Sequence, residues 1–266
     1  MTDPFAAMKA AQKHGWAYFA PVETFTIAPA GQLVRRAGVH AGQHVLDVAC
    51  GTGVVSVTAA RRGARVSGLD FAPDLLARAR QNSELAGLDI EWIEGDAEQL
   101  PFPDATFDAV LSQFGHIFAP RAEVALSEML RALKPGGTIA FSTWPPELYT
   151  GSLFDVAGRY MPPPPPGMSP PTLWGDPNVV RQRLGSTVKD LVFDRQDTLT
   201  PALSPQHYRL FLERTIGPLK MLVESLSTSD PAKLAALRSE LDALIVPYFE
   251  DNIVKQGYLI TRATKV

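Results

Sequence analysis

The sequence predicts an α/β chain, a doubly wound, mostly parallel seven-stranded sheet with a helical cap inserted between its last two strands. Three observations carry that expectation. Residues 45–53, Val-Leu-Asp-Val-Ala-Cys-Gly-Thr-Gly, read as a buried strand that runs into a tight glycine turn. From Gln43 to Trp144 short apolar runs alternate with amphipathic helical stretches, a pattern that requires right-handed crossovers and a parallel sheet covered on both faces. Residues 200–250 then separate two strands that a short hairpin could join.

In order, His44–Val48 is the first strand, followed by a helix from Gly53 to Arg62 that Gly63 closes. Arg65–Leu69 is the second. Pro73 opens a helix through Leu85, with Asp74 in its first turn and Gly87 past its end, the expected Pro-start and Gly-stop asymmetry. Ile90–Glu94 and Phe107–Ser112 are the third and fourth strands. A helix over Ala122–Leu133 stops at Lys134-Pro135-Gly136-Gly137, where proline ends the helix and the glycines permit positive φ. Thr138–Thr143 is the fifth strand. Gly151–Tyr160 reads as a helix, and the five prolines at 162–166 as a stiff extended connector. Asp176-Pro177 starts a helix through Leu184, and Leu191–Asp194 and Tyr258–Ala263 are the sixth and seventh strands. Between those two, Ser204-Pro205 caps one helix whose stripe is Tyr208, Phe211, Leu212, Thr215, Ile216, Leu219, Leu222, Val223 and Leu226. Asp230-Pro231 opens a second helix, with Leu234, Leu237, Leu241, Leu244 and Ile245. The domain reading is a helical N-terminal cap segment at 1–36, a core at 37–199, a helical lid at 200–250 and the final core strand at 251–266.

Composition narrows the function classes. A chain of 266 residues with 45% hydrophobic residues makes one domain with room for a cap. A net charge of −3 and a pI near 6.0 give no footprint for nucleic acid or an anionic membrane. Cys50 is the single cysteine, which excludes internal disulfides and suits a reducing cytoplasm. No apolar run reaches the roughly 18 residues of a membrane span, and Met1–Ala11 shows no export signal. The five histidines, His14, His40, His44, His116 and His207, lack metal-ligand spacing, so no metal is expected.

Asp47 sets the chemistry of the glycine turn. Free N–H groups at a helix N-terminus favour an anion, but a carboxylate four residues before Gly51 would repel a pyrophosphate. It suits a ligand that is cationic near the turn. The dinucleotide fingerprint is also incomplete, since the run is Gly51-Thr52-Gly53-Val54-Val55-Ser56. Both features count against the alternative of an NAD(P)-dependent oxidoreductase. Asp70 ends the second strand nineteen residues after Gly51, where a carboxylate can accept both ribose hydroxyls or simply favour a helix start. Gly95-Asp96-Ala97 follows the third strand, so three successive strands end in an acid.

On these residues, over about Ala37–Trp144, the chain resembles the class I S-adenosylmethionine-dependent methyltransferases, in the small-molecule branch that includes the ubiquinone/menaquinone-biosynthesis enzymes. Leu-Lys-Pro-Gly-Gly at 133–137 is also typical of that family. The resemblance implies a Rossmann-like methyltransferase fold and S-adenosyl-L-methionine bound by Asp47, Gly51, Gly53, Asp70, Phe71, Asp96, Ala97 and Gln113. Asp96 would accept from the adenine amino group, the Ala97 backbone would read a ring nitrogen, and Phe71 and Leu100 would flank the ring. Gln113 and Phe114 would lie beside the methionine. The implied reaction is in-line methyl transfer to a small-molecule nucleophile, with O, N, S or C left open. A non-catalytic S-adenosylmethionine-binding protein is the other alternative. Trp16, Tyr18, His116 and Tyr208 are the expected acceptor-binding residues, with His116 as the base or orienting group; a helix-start histidine bonded to a neighbouring loop is its structural counterpart. Ser112-Gln113-Phe114-Gly115-His116 lacks the Pro-Pro-aromatic motif of nucleic acid amino-methyltransferases. Cys50, with no base in sequence range, reads as a packing residue.

Overall fold

The computed structural model describes residues 4–266, apart from the side chain of His14; residues 1–3 of the expected cap segment lie outside the described residues. Helix α1 (Ala6–Gly15) and a 3-10 turn at Trp16–Val22 lead into α2 (Glu23–Arg36). The core then runs β1 (His44–Val48), α3 (Val54–Ala60), β2 (Arg65–Asp70), α4 (Pro73–Leu85), β3 (Glu91–Glu94), β4 (Phe107–Gln113), α5 (Ala122–Ala132), β5 (Leu133–Thr143), α6 (Tyr149–Gly158), α7 (Pro177–Leu184) and β6 (Val188–Pro201). Next come α8 (Pro205–Thr215), α9 (Gly217–Ser229) and α10 (Pro231–Ile245), then β7 (Phe249–Glu250) and β8 (Ile253–Lys265).

The sheet order is β3-β2-β1-β4-β5-β8-β6, with β7 on β8. Strands β1 to β5 pair in parallel, and β8 runs antiparallel to β5 and β6. The order reverses between β1 and β4, which places the switch-point crevice at their carboxyl ends. Alternation along β1 divides the core. Leu46 and Val48 pack with Leu126 and Met129 of α5 and Val180 and Leu184 of α7. Val45 packs on the other face with Leu33 and Val34 of α2 and Val55 and Ala59 of α3. Helix α2 is therefore a layer of the sheet rather than part of a cap.

Several expected boundaries differ. The sixth and last strands are far longer than predicted, because β6 and β8 continue pairing to Pro201↔Ile253 while β5 meets β8 only over residues 259–264. Residues 253–258 of β8 and their β6 partners thus project about 20 Å past the parallel strands' carboxyl ends, at about 3.3 Å per residue. The eighth strand, β7, folds onto β8 through Asp251 (φ 48°) and Asn252 (φ 62°), the backbone of a type I′ hairpin. The helix expected to run unbroken from Pro205 to Leu226 stops at Thr215 and restarts at Gly217. Pro218 lacks the N–H that would bond four residues back, and its ring clashes with that turn. Strand β5 also begins at Leu133, with a register irregularity before Ala109↔Thr138 rather than a free turn.

The projecting arm carries a second apolar core. Tyr208, Leu212, Leu219, Leu222, Leu226, Leu234, Leu237, Leu241 and Ile245 gather with Tyr149, Leu153 and Val156 of α6. Side-chain caps set the helix starts: Ser204 accepts from the His207 N–H and Asp230 from the Lys233 N–H. The N-terminal segment joins this layer at a backbone-to-backbone contact, since a Cβ at Gly217 would sit 2.1 Å from the Gly15 carbonyl oxygen. No helix among the described residues is long and apolar enough to cross a membrane.

Candidate active site

The carboxyl ends of β1, β2, β3 and β4 bring the strand-end acids together. Asp47 is 1% exposed. Its Oδ2 accepts from the Ser56 N–H at 3.0 Å and the Ser56 hydroxyl at 2.6 Å, while Oδ1 is buried and accepts nothing among the described residues. Burial, reinforced by Asp70, pushes the Asp47 carboxyl up to about 7. On β4, the Gln113 amide donates to the Thr26 carbonyl of α2 at 2.9 Å, which leaves its Oε1 as a second buried acceptor with no partner among the described residues.

Asp70 accepts the Gly51 N–H at 2.8 Å on one oxygen and the Ala72 N–H at 2.9 Å on the other. The Phe71 N–H also acts on this carboxylate, whose roughly four acceptor sites are not all filled by these donors. Burial pushes its carboxyl up to about 6. The glycine turn is held from below: Gly53 adopts φ 79°, and a Cβ there would lie 2.5 Å from the Trp92 ring. Asn82 ties the turn to the N-terminal segment, donating to the Thr52 carbonyl and to Glu23 at 3.0 Å each. Ala49 (φ 55°) and Phe114 (φ 60°) are left-handed residues at the ends of β1 and β4, and such strain concentrates at ligand sites.

These ends open on a small, partly open cavity. Asp70, Phe71, Gly95, Asp96 and Ala97 form one wall, and Gly115, Phe118 and Pro120 another. Lys9 and Gln12 of α1 form a third. Sequence reasoning missed Lys9, Gln12 and Phe118.

Several expected residues lie elsewhere. Leu100 is buried in the core under the sheet. Phe114 is buried and stacks on Trp144 at 4.0 Å. Tyr18 is 46% exposed beneath the Lys220 ammonium, and Tyr208 is buried in the apolar core of the projecting arm beside Tyr149. His116 is fully buried and absent from the cavity wall. The 3-10 turn at His116–Phe118 sends its ring inward against Phe141 and Trp174, with Nδ1 3.0 Å from the Ser112 hydroxyl. Burial, with Arg183 nearby, pushes its pKa down to about 3. Trp16 is half-buried and packs on Phe118 at 4.7 Å, so it alone of the expected acceptor residues stands at the cavity's edge.

Comparison with known proteins agrees with this geometry. A methyltransferase domain model matches residues 45–137. The uncharacterized protein Rv1403c of Mycobacterium tuberculosis is 35% identical over 249 residues, 93% of this chain and 90% of its own. A demethylmenaquinone methyltransferase of Thermus thermophilus is 44% identical over 108 residues, 40% of this chain and 49% of its own. The chain belongs to the class I methyltransferases. Among solved folds, phosphoethanolamine N-methyltransferase 2 of Haemonchus contortus, bound to phosphomonomethylethanolamine and S-adenosylhomocysteine, aligns with TM-score 0.55 and 19% identity over 90% of this chain and 52% of that one. This methyltransferase uses S-adenosylmethionine as methyl donor and transfers the methyl group to a small molecule. The oxidoreductase alternative finds no support among these relatives.

Proposed function

We propose that the donor lies along the strand ends with its ammonium on Asp47 and Gln113, its ribose on Asp70 and its adenine between Phe71 and Phe118, read by Asp96 and Ala97. The observation that carries this is the pair of buried acceptors on adjacent strands, Asp47 Oδ1 and Gln113 Oε1, neither with a partner among the described residues. A buried acceptor left unpaired costs about 1–3 kcal/mol, and an ammonium supplies three N–H donors. A cationic ligand group there also explains why the chain tolerates a carboxyl that burial pushes up to about 7. Gly51 and Gly53 act through backbone, one donating to Asp70 and the other packing on Trp92.

The bound sulfonium supplies an electrophilic methyl, so the protein's task is alignment and exclusion of water. In this reading residues 4–22 and the helices of 200–250 form a cap over the acceptor, anchored on the projecting β6–β8 arm. Trp16, Phe118 and Phe154 make a contiguous aromatic wall, at 4.7 and 5.9 Å between ring centres, which suits a flat apolar acceptor. The ionisable side chains on the cavity wall are Lys9, Asp70 and Asp96; Lys9 is paired with Asp96 and Glu98, this reading gives Asp70 and Asp96 to the donor, and His116 is a core residue. The acceptor is therefore one whose nucleophile forms without a protein base: a phenol, a quinol-type carbon acid or a thiol. The demethylmenaquinone methyltransferase relative, which matches 108 residues of this chain, puts quinols first for testing. The single buried cysteine fits a cytoplasmic setting.

The test is formation of S-adenosylhomocysteine across phenols, quinols, thiols, amines and aliphatic alcohols between pH 6 and 9. Turnover should follow the acceptor's own ionisation. A best substrate that is an aliphatic alcohol would refute the base-free reading.

A further inference from the structure

The third cavity wall lies outside the matched methyltransferase domain and has its own logic. Lys9 Nζ stands 2.7 Å from Asp96 Oδ2 and 2.6 Å from Glu98 Oε2. Glu98 is an unusual anchor: its side chain is 1% exposed, and it accepts the Arg121 backbone N–H at 2.6 Å and the Arg121 Nε at 2.8 Å. Asp96 is more open, with a side chain 37% exposed, and its Oδ1 accepts the Glu98 N–H at 2.9 Å. One oxygen is thus fixed by a backbone donor two residues on. The other is fixed by an ammonium that is itself clamped to a buried carboxylate. Each oxygen keeps an acceptor site, and both Lys9 and Asp96 line the cavity.

A surface carboxylate free to rotate in water is a poor reader of a ligand donor, because ordering it on binding cancels much of the gain. An exposed lysine would do little to prevent that, but Lys9 is only 14% exposed and bridges two acids. We propose that Lys9 is a positioning residue for the donor's purine: it holds the Asp96 carboxylate in the orientation that accepts from the 6-amino group. Preference for adenine over purines lacking that amine then depends on the N-terminal helix. This inference rests on the reading of Asp96 as the adenine acceptor. Lys13 of the same helix pairs with Glu94 and provides an internal control.

The experiment measures calorimetric affinity of the full chain for S-adenosylhomocysteine and for its analogue with hydrogen in place of the 6-amino group. The wild-type chain should bind the analogue about tenfold or more weakly, the worth of one charge-assisted hydrogen bond. In Lys9→Met that preference should fall to within about threefold, since an unfixed acceptor recovers little of the bond, and Lys9→Arg should restore most of it. Lys13→Met should keep the full preference. A Lys9→Met chain that retains the preference, or a Lys13→Met chain that loses it equally, would show that Lys9 merely tethers α1 and would overturn the proposal. Asp96→Ala separates the two layers of the argument: if it keeps the preference, the assignment of Asp96 itself fails, and Lys9's role fails with it.

Discussion

Asp47→Asn should make the ligand-free protein more stable and a much poorer cofactor binder. Burial holds this carboxyl at about 7 against an ordinary 3.8. A group whose folded pKa is raised contributes stability that is complete below its unfolded pKa and lost as pH rises through the folded one. The loss amounts to about 4 kcal/mol for a shift of about three units. Asparagine removes the charge at every pH and keeps one oxygen for Ser56. It places an unpaired N–H₂ where Oδ1 now lies, at a cost of about 1–3 kcal/mol. The net gain at pH 8 is about 2 kcal/mol, or about 4–8 °C in Tm for a chain of this size. At pH 5 most of the wild-type penalty has gone, and the two proteins should melt within about 2 °C of each other. Thermal melts at both pH values, with and without saturating S-adenosylhomocysteine, check this directly. Ligand should raise the wild-type Tm and leave the variant nearly unmoved. A ligand-free variant that melts below wild type at pH 8 would refute the claim that Asp47 is an unsatisfied buried carboxylate.

Cofactor affinity should fall as pH drops through about 7 and more steeply below about 6, because Asp47 and Asp70 must both give up protons for the ligand's ammonium and ribose donors. The slope approaches tenfold per unit per group, and calorimetry at pH 8, 7, 6 and 5 reads it. Asp70→Ala should weaken S-adenosylhomocysteine about ten- to a hundredfold while the variant stays folded by circular dichroism. His116→Ala should lower stability by about 2–4 kcal/mol, as loss of a buried ring does. Its turnover should stay within about threefold of wild type when assayed well below its Tm, whereas loss of a true general base costs about a hundredfold.

What could be read from the sequence was what local periodicity controls. Asp47, Asp70 and Asp96 were legible as strand-end acids because each follows a short apolar run, and the parallel topology follows from runs alternating with helices. The 200–250 segment was legible as an insertion but not as three helices. Its apolar stripe runs unbroken across Ile216-Gly217-Pro218, and periodicity alone does not register the break that the proline imposes. The lengths of β6 and β8 were hidden because several inward positions of the arm are polar, Thr198, Thr200 and Gln256, so no apolar alternation marks the strands. His116 sits where a base would, yet a one-turn 3-10 helix decides which way a ring points, and spacing carries no such information. Lys9 was invisible for a different reason: its partners lie 87 and 89 residues away, and a lysine on a short amphipathic helix ordinarily faces water.

The central claim is that acids at successive strand ends define the donor site. The most direct measurement is a crystal structure of the chain with S-adenosylhomocysteine. The account predicts the ligand ammonium within hydrogen-bond reach of Asp47 Oδ1 and Gln113 Oε1, both ribose hydroxyls on Asp70, and the adenine amino group on Asp96. A complex in which the ammonium lies elsewhere and Asp47 Oδ1 still has no partner would contradict it.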